Sequence, residues 1–511
     1  MRFGASFVGV RGLGIGFLIG FLVRLVPELL AFPFPIGFDT VYYAVVMKSG
    51  VILPHWSAFF TSSWLLSALT VPLYSLSKVN PFLLLKIVSP ALYGLNVAGV
   101  YWFARKMLGW DAKMCLVAVG LFAVQLAPLR ISWDLLRNTL GMGLLLFSLS
   151  LISSLDSKRG FASFVFLSLL TVFAHEYSAV TLVVVILGLL AWNLLKGQLG
   201  KVDVRVVLAA LPALAVFSVG MFLRFFPIKY SATTNVFSIS EAYVGRSVFF
   251  ANYLAVNDGV FYYPAYADLL VDVALLFAFL YLSYLFLVWK GFFRSVVLNL
   301  WTGLLLFGTF GCLVYPFFAL DLWSRWMFML GYPFTFYAVN GLFKILKNYN
   351  GGNGRFAGFS KRAVFGALGV TVLLGSVYLA TPTLMGTVHT GVFALPNVSA
   401  HFSSAPTVPF EDVNGVVQAM EWLNQSMGSG SCVVLQHVFL SWGQLYLDKS
   451  HSIVHFLNDA DVAANVALNR GFTQVYFVWW NTDIGWYSVS GLNHFERLVD
   501  FDRISVFAYV E

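Results

Sequence analysis

Charge is what this sequence has least of. Of 511 residues only 11% are Asp, Glu, Lys or Arg, while 59% are hydrophobic and 51 are Phe. A soluble globular domain carries roughly 25% charged residues, so the shortage excludes that class and points to a polytopic membrane protein. Cysteine is also scarce. Cys115 and Cys312 lie in apolar runs and Cys432 in a strand-like one, a distribution that suggests neither a disulfide framework nor a zinc site. There is no Gly-rich phosphate loop, and the one Asp-x-Asp, Asp459-Ala460-Asp461, falls at a predicted helix start, so a nucleotide-sugar donor is disfavoured. No small-residue cleavage site follows the first apolar run. Arg2 and Arg11 therefore open a retained helix and not a removed signal peptide.

The charge that is present is unevenly spread. Residues 1–380 hold 27 Lys/Arg against 12 Asp/Glu, and residues 381–511 hold 4 against 11, within a net charge of +8. The basic excess belongs to membrane loops and the tail is acidic, which argues against a nucleic-acid partner.

About eleven apolar runs have the length of a membrane helix: 8–30, 81–103, 114–129, 138–155, 161–176, 178–195, 206–223, 267–289, 296–319, 325–346 and 363–380. Lys/Arg clusters fall at every second junction, from Arg105/Lys106/Lys113 to Lys344/Lys347. The positive-inside rule then sets the N-terminus in the cytoplasm. An uncharged stretch, 57–76, is long enough to span, yet counting it would put every later basic loop outside. It is placed as an interfacial or re-entrant helix in the first external loop, near Pro54, His55, Trp56 and Pro72.

After Ala380 prolines punctuate a linker, and helix and strand patterns alternate: a helix from Glu411 to Ser426, a strand from Cys432 to His437, a helix from Asp459 to Leu468, and strands at Gln474–Trp480 and Ile504–Val510. The expected organisation is a membrane domain over 1–380, a linker over 381–410 and an extracytoplasmic α/β domain over 411–511.

With this topology nine acidic residues of the membrane part lie at or beyond the outer helix ends, and the chemistry is expected there. Asp39, in Gly37-Phe38-Asp39-Thr40-Val41-Tyr42-Tyr43, is costly to desolvate unless it binds or reacts with something. Its plain structural alternative is a helix N-cap. Arg130 and Arg137 flank Asp134 in a short external turn and suit a lipid phosphate, or serve as interfacial anchors. Ser238-Ile239-Ser240-Glu241 sits in a long external loop of the kind that forms lids. Arg325 lies between Trp323 and Trp326 at an outer helix end, where it anchors the helix or binds phosphate. His175 and Glu176, at the end of the fifth run, are candidate substrate or metal contacts, with a satisfied helix-end residue as the alternative.

These residues together resemble the GT-C superfamily of membrane glycosyltransferases, most of all the catalytic subunits of oligosaccharyltransferases and more distantly protein mannosyltransferases. Asp39 with Tyr42-Tyr43 matches an acidic motif of their first external loop. Asp134 matches the acidic motif after the third span, and Ser238-Ile239-Ser240-Glu241 a loop signature. Arg325-Trp326 matches a late span opening on a phosphate-contacting arginine. Met420-Glu421-Trp422-Leu423 and Val433 to Tyr446 resemble the start of their soluble domain. The resemblance implies a GT-C-like fold, a polyprenyl-phosphate-linked sugar donor and a protein, glycan or lipid acceptor. It implies catalytic roles for Asp39, Asp134 and Glu241, which are also the ligands of any divalent metal (Mg or Mn). Arg325, Arg130 and Arg137 would meet the donor phosphate, and Tyr42, Tyr43 and Trp442 would contact acceptor or substrate.

Two departures narrow this. Asp134 is followed by Leu135 and Leu136 in place of a second acid, which removes a metal ligand. Leu440-Ser441-Trp442-Gly443-Gln444 lacks the acid of the sequon-reading motif, so peptide-sequon recognition is not implied. The rival from another class is a transporter or flippase of lipid-linked sugar. That would want inverted repeats and charges near the midplane, neither of which the sequence displays.

Overall fold

The computed structural model describes residues 2–61, 63–198, 200–226, 236–238, 249–254, 263–349, 355–382, 407–481 and 489–510. Each of the eleven apolar runs holds a helix. The first is α1 (Arg2–Leu30). In the following loop come α2 (Thr40–Ser49), α3 (Ala58–Thr61) and α4 (Leu65–Ser77). The 13 residues of α4 make about 20 Å of helix, short of the roughly 30 Å hydrocarbon thickness.

Next are α5 (Pro81–Lys106), then α6 (Ala112–Ala123) and α7 (Leu126–Asp134), which are bent by 60° at their junction. They lead to α8 (Leu136–Leu151), α9 (Lys158–Ala174), α10 (Glu176–Leu195) and α11 (Lys201–Phe225). Two short strands follow, β1 (Val236–Ser238) and β2 (Phe250–Ala251). After them α12 (Tyr266–Tyr281) and α13 (Leu285–Gly291) form a second bent pair, at 75°. The membrane part ends with α14 (Val296–Val314), β3 (Ala319–Leu320), α15 (Trp323–Met329), α16 (Gly331–Tyr349) and α17 (Arg355–Ala380). Among the described residues seven helices are long and apolar enough to cross a membrane, or nine if each bent pair is one span. The runs 161–176 and 325–346, realised as α9 and α15–α16, lie outside that set.

Small residues set how closely the first two long helices approach. A Cβ on Gly20 would come within 2.5 Å of a Val97 methyl and 2.9 Å of Gly94 Cα, and one on Gly94 within 2.8 Å of the Phe17 carbonyl oxygen. Such contacts let backbones meet where water offers no driving force.

The C-terminal part holds α18 (Val413–Ser426), β4 (Ser431–Gln436), α19 (His437–Tyr446), β5 (Ser452–Phe456), α20 (Ala460–Asn469), β6 (Gln474–Trp480), β7 (Phe495–Phe501) and β8 (Ile504–Tyr509). The sheet order is β1-β5-β4-β6-β8-β7. β1, β5, β4 and β6 are parallel, and β8 and β7 close it antiparallel. β4 is buried along its whole length, as its Cys-Val-Val-Leu core suits a central parallel strand. The sheet therefore takes its edge strand, β1, from the loop that follows α11, with Ser238 in register with His455. The apolar core under the sheet continues into the membrane part through Val41, Tyr43 and Met47 of α2 and Phe82 and Leu85 of α5.

Candidate active site

Gly37 sets the site. Its φ of +94° is favoured by glycine. A Cβ there would stand 2.5 Å from the Trp133 carbonyl oxygen and 2.6 Å from Asp134 Cβ. The loop before α2 is thereby pressed against the last turn of α7, bringing Asp39 and Asp134 to one place. Asp39 occupies the N-cap position of α2, yet its side chain makes no capping hydrogen bond. The plain alternative of a helix cap thus leaves its carboxylate unused. Burial, then the charge of Asp134, push the Asp39 carboxyl above its ordinary range, against the pull of Arg325, Arg137 and Arg130.

The three arginines are held differently. Arg130 grips Asp134 bidentately, Nη1 on Oδ1 and Nη2 to Oδ2 at 3.2 Å, and stacks 5.7 Å from the centre of the Phe328 ring. Arg137 lies over both Tyr42 and Tyr43, 5.6 and 5.8 Å from their ring centres. Arg325 sits on the first turn of α15, behind Leu322, whose left-handed backbone (φ +52°) turns the chain into that helix. Among the described residues the Arg325 guanidinium makes no ion pair and no side-chain hydrogen bond. It is half-buried and within electrostatic reach of Asp39 and His175.

His175 accepts from the Tyr177 amide at 3.3 Å and so caps α10. Glu176 takes an ion pair from Arg224 at 3.0 Å, and Arg224 also donates to the Thr61 carbonyl at 2.6 Å. Trp442 lies elsewhere. Its indole donates to Thr407 at 2.7 Å, and it lines a cavity of about 320 Å³ with Phe34, Phe82, Tyr446, Asn414 and Gln418. Glu241, with Ile239 and Ser240, falls outside the described residues; of that motif only the Ser238 backbone is described, on β1.

A divalent cation wants about six oxygens. Among the described residues no group of three or more His, Cys, Asp or Glu is placed to hold one. Asp39 and Asp134 alone do not fit, because both oxygens of Asp134 are taken by Arg130.

Sequence reasoning missed several neighbours. His437 opens α19, stacks on Phe38 with ring centres 6.5 Å apart, and stands 5.5 Å from His455. Burial pushes both imidazoles down, His455 to about 4 with help from His437. Arg24 and Lys86 meet Glu28 inside the bundle. A signal for Arg24 was available in the four-residue spacing of Gly16, Gly20, Arg24 and Glu28 on one helix face.

The archaeal oligosaccharyltransferase AglB from Archaeoglobus fulgidus, in complex with an inhibitory peptide and a dolichol-phosphate, aligns over 93% of this chain and 70% of its own, with a TM-score of 0.55 and 12% identity. The chain shares the fold of that oligosaccharyltransferase. The apo form of the Archaeoglobus oligosaccharyltransferase gives 94% and 70% coverage, a TM-score of 0.50 and 12% identity. ArnT from Cupriavidus metallidurans, in the apo state, covers 99% and 98% with a TM-score of 0.49 and 12% identity. No protein-family model matches the sequence, and neither does any curated protein. The likeness thus rests on the path of the chain.

Proposed function

We propose that this GT-C chain transfers a sugar or oligosaccharide from a polyprenyl-phosphate-linked donor to an acceptor on the outer face of the membrane, with its N-terminus in the cytoplasm. One observation carries the reading: Asp39, whose side chain makes no capping hydrogen bond, lies within electrostatic reach of Arg325, which among the described residues makes no ion pair, in a cluster that also holds Arg137 and the Arg130–Asp134 pair. The AglB structure, of the same fold, contains a dolichol-phosphate. In this chain Arg325 binds the donor phosphate and stabilises its charge as the glycosidic bond to the sugar breaks. Asp39 orients the acceptor and takes its proton. Arg137, braced by Tyr42 and Tyr43, adds positive charge beside Asp39, while Arg130 is largely neutralised by its pair with Asp134.

The test is sugar transfer from a lipid-linked donor by the purified protein over a panel of acceptors, scored for glycosylated product against mere translocation of the donor. Asp39→Asn and Arg325→Met are each expected to lower turnover by about 10²–10⁴. The rate should fall as pH drops through the Asp39 pKa, and because that pKa is raised, the acid limb should lie above the usual carboxylate range near 4. Full turnover by Asp39→Asn, or translocation without product, overturns the reading.

A further inference from the structure

Three charges are buried together in the helix bundle, away from Asp39. Arg24 is 0% exposed, Glu28 3% and Lys86 7%. Arg24 Nη2 lies 2.8 Å from Glu28 Oε1, and Lys86 Nζ lies 3.1 Å from Oε2 and donates to the Glu28 carbonyl at 2.9 Å. They stand on the stripe that closes α1 on α5. On α1 the four-residue series runs Gly16, Gly20, Arg24, Glu28; on α5 it runs Lys86, Pro90, Gly94, Ala98. A Cβ on Gly16 would meet Ala98 at 3.3 Å and one on Gly20 would meet Gly94, so Glu28 arrives opposite Lys86.

Holding two helices together does not need this arrangement. Charges inside a membrane are costly, and buried ion pairs are often replaced by apolar side chains with no loss of stability. The triad has a third attachment. Arg24 Nε donates to Ser132 Oγ at 3.1 Å and to the Ser132 carbonyl at 3.3 Å, and its guanidinium lies 5.6 Å over the Trp133 ring. Ser132 is in the last turn of α7, whose final carbonyls have no partner within the helix. A cation there satisfies one of them and suits the negative end of the helix. Two residues on is Asp134, and two residues back is Arg130.

We propose that Arg24 is a positioning residue. Locked by Glu28 and Lys86, it caps α7 after the bend and fixes the rotation at which Arg130 and Asp134 meet Asp39. The inference rests on the reading of that cluster as the active site.

The test uses the full chain with Arg24→Met, Glu28→Leu and Lys86→Met combined. The variant should fold with an unchanged or raised melting temperature. Its kcat should fall by about 10-fold to 10²-fold with little change in acceptor KM, the loss expected of a misplacement near 1 Å. Amide exchange over 126–136 should speed up while the C-terminal sheet is unaffected. Should the triple variant not fold, Arg24→Lys gives the same two readings, since it keeps the charge and loses the Nε bonds to Ser132. Wild-type kcat in a folded variant overturns the proposal, and so does unchanged exchange over 126–136. If the wild type transfers no sugar at all, the glycosyltransferase reading fails, and exchange alone decides whether Arg24 positions α7.

Discussion

Single residues set the geometry of this site more than any extended motif does. Gly37 is the sharpest case, since it combines a left-handed backbone with space for no side chain at all. Gly37→Ala should therefore move either the Asp39 loop or the end of α7. We expect at least a 10-fold loss of transfer with the C-terminal sheet intact, checked by turnover together with near-UV circular dichroism. At the same scale Asp134 reads differently in structure than in sequence. With both oxygens on Arg130 it acts there as the partner of a cation, and the pair presents little net charge to Asp39 beyond what distance leaves uncancelled.

At the scale of elements, α2 and α19 form the joint between the two parts of the molecule. They lie side by side: Phe38, just before α2, stacks on His437 at the start of α19, and Lys48 in the last turn of α2 donates to the Leu445 carbonyl in the last turn of α19. A lysine at that carbonyl completes a helix C-terminus, a contribution of roughly 0.3–1 kcal/mol that rises with burial. Lys48→Met should lower the unfolding temperature by a few degrees and reduce turnover as well, because the helix it steadies begins at Asp39. Unfolding followed by tryptophan fluorescence, in parallel with transfer, reads both effects. Within the C-terminal part Asp412 has a comparable role: it accepts from Trp480 at 2.8 Å and from Arg503 at 2.7 Å, tying α18 to β6 and to the turn before β8.

For the whole molecule, acid lability follows from the buried histidines. His455 titrates near 6.5 in an unfolded chain and near 4 here, held down by burial and then by His437. Between those values the unfolded state binds the extra proton, so stability rises with pH across this window and is lost as pH falls through it. The shift amounts to about 3 kcal/mol at its full extent. Thermal unfolding of the intact protein, followed at Trp479 and Trp480, should show a melting temperature that declines from pH 7 to pH 4.5, and His455→Phe should flatten that decline.

The same scale shows what the sequence made legible. The helical runs were readable because a membrane span must satisfy its backbone locally and so declares itself by length and hydropathy. The strands expected at 474–480 and 504–510 were readable from their apolar runs, the second ending at Tyr509. α19, β5 and β7 were missed, and the strand expected to reach His437 ends at Gln436, whose side chain caps α19 through the Val438 amide at 2.7 Å. Asp39, Asp134, Arg130, Arg137 and Arg325 were legible as short polar islands in apolar surroundings. Their mutual arrangement was not, since it depends on Gly37 meeting Trp133, almost a hundred residues away. Trp442 resembles a site residue by motif; its indole donates to Thr407 and its ring lines a cavity with Phe34 and Phe82. Arg24 and Lys86 lie inside the apolar runs 8–30 and 81–103, and their shared partner Glu28 becomes evident only when α1 and α5 are brought together.

One feature of the sheet bears on how the molecule comes apart. β5 would be an edge strand but for β1, three residues supplied by the loop that leaves α11. The opposite edge, β7, is dressed with Glu496, Arg497 and Asp500, the kind of charged border that resists strand addition. The β5 strand carries no Lys, Arg, Asp or Glu of its own, its sequence being Ser452-Ile453-Val454-His455-Phe456. A fragment beginning at Thr407 would therefore leave behind its own selvedge and offer an uncovered strand to any passing chain. The sheet and the helices are thus sewn into one fabric, and the seam runs through the segment that leads to Glu241.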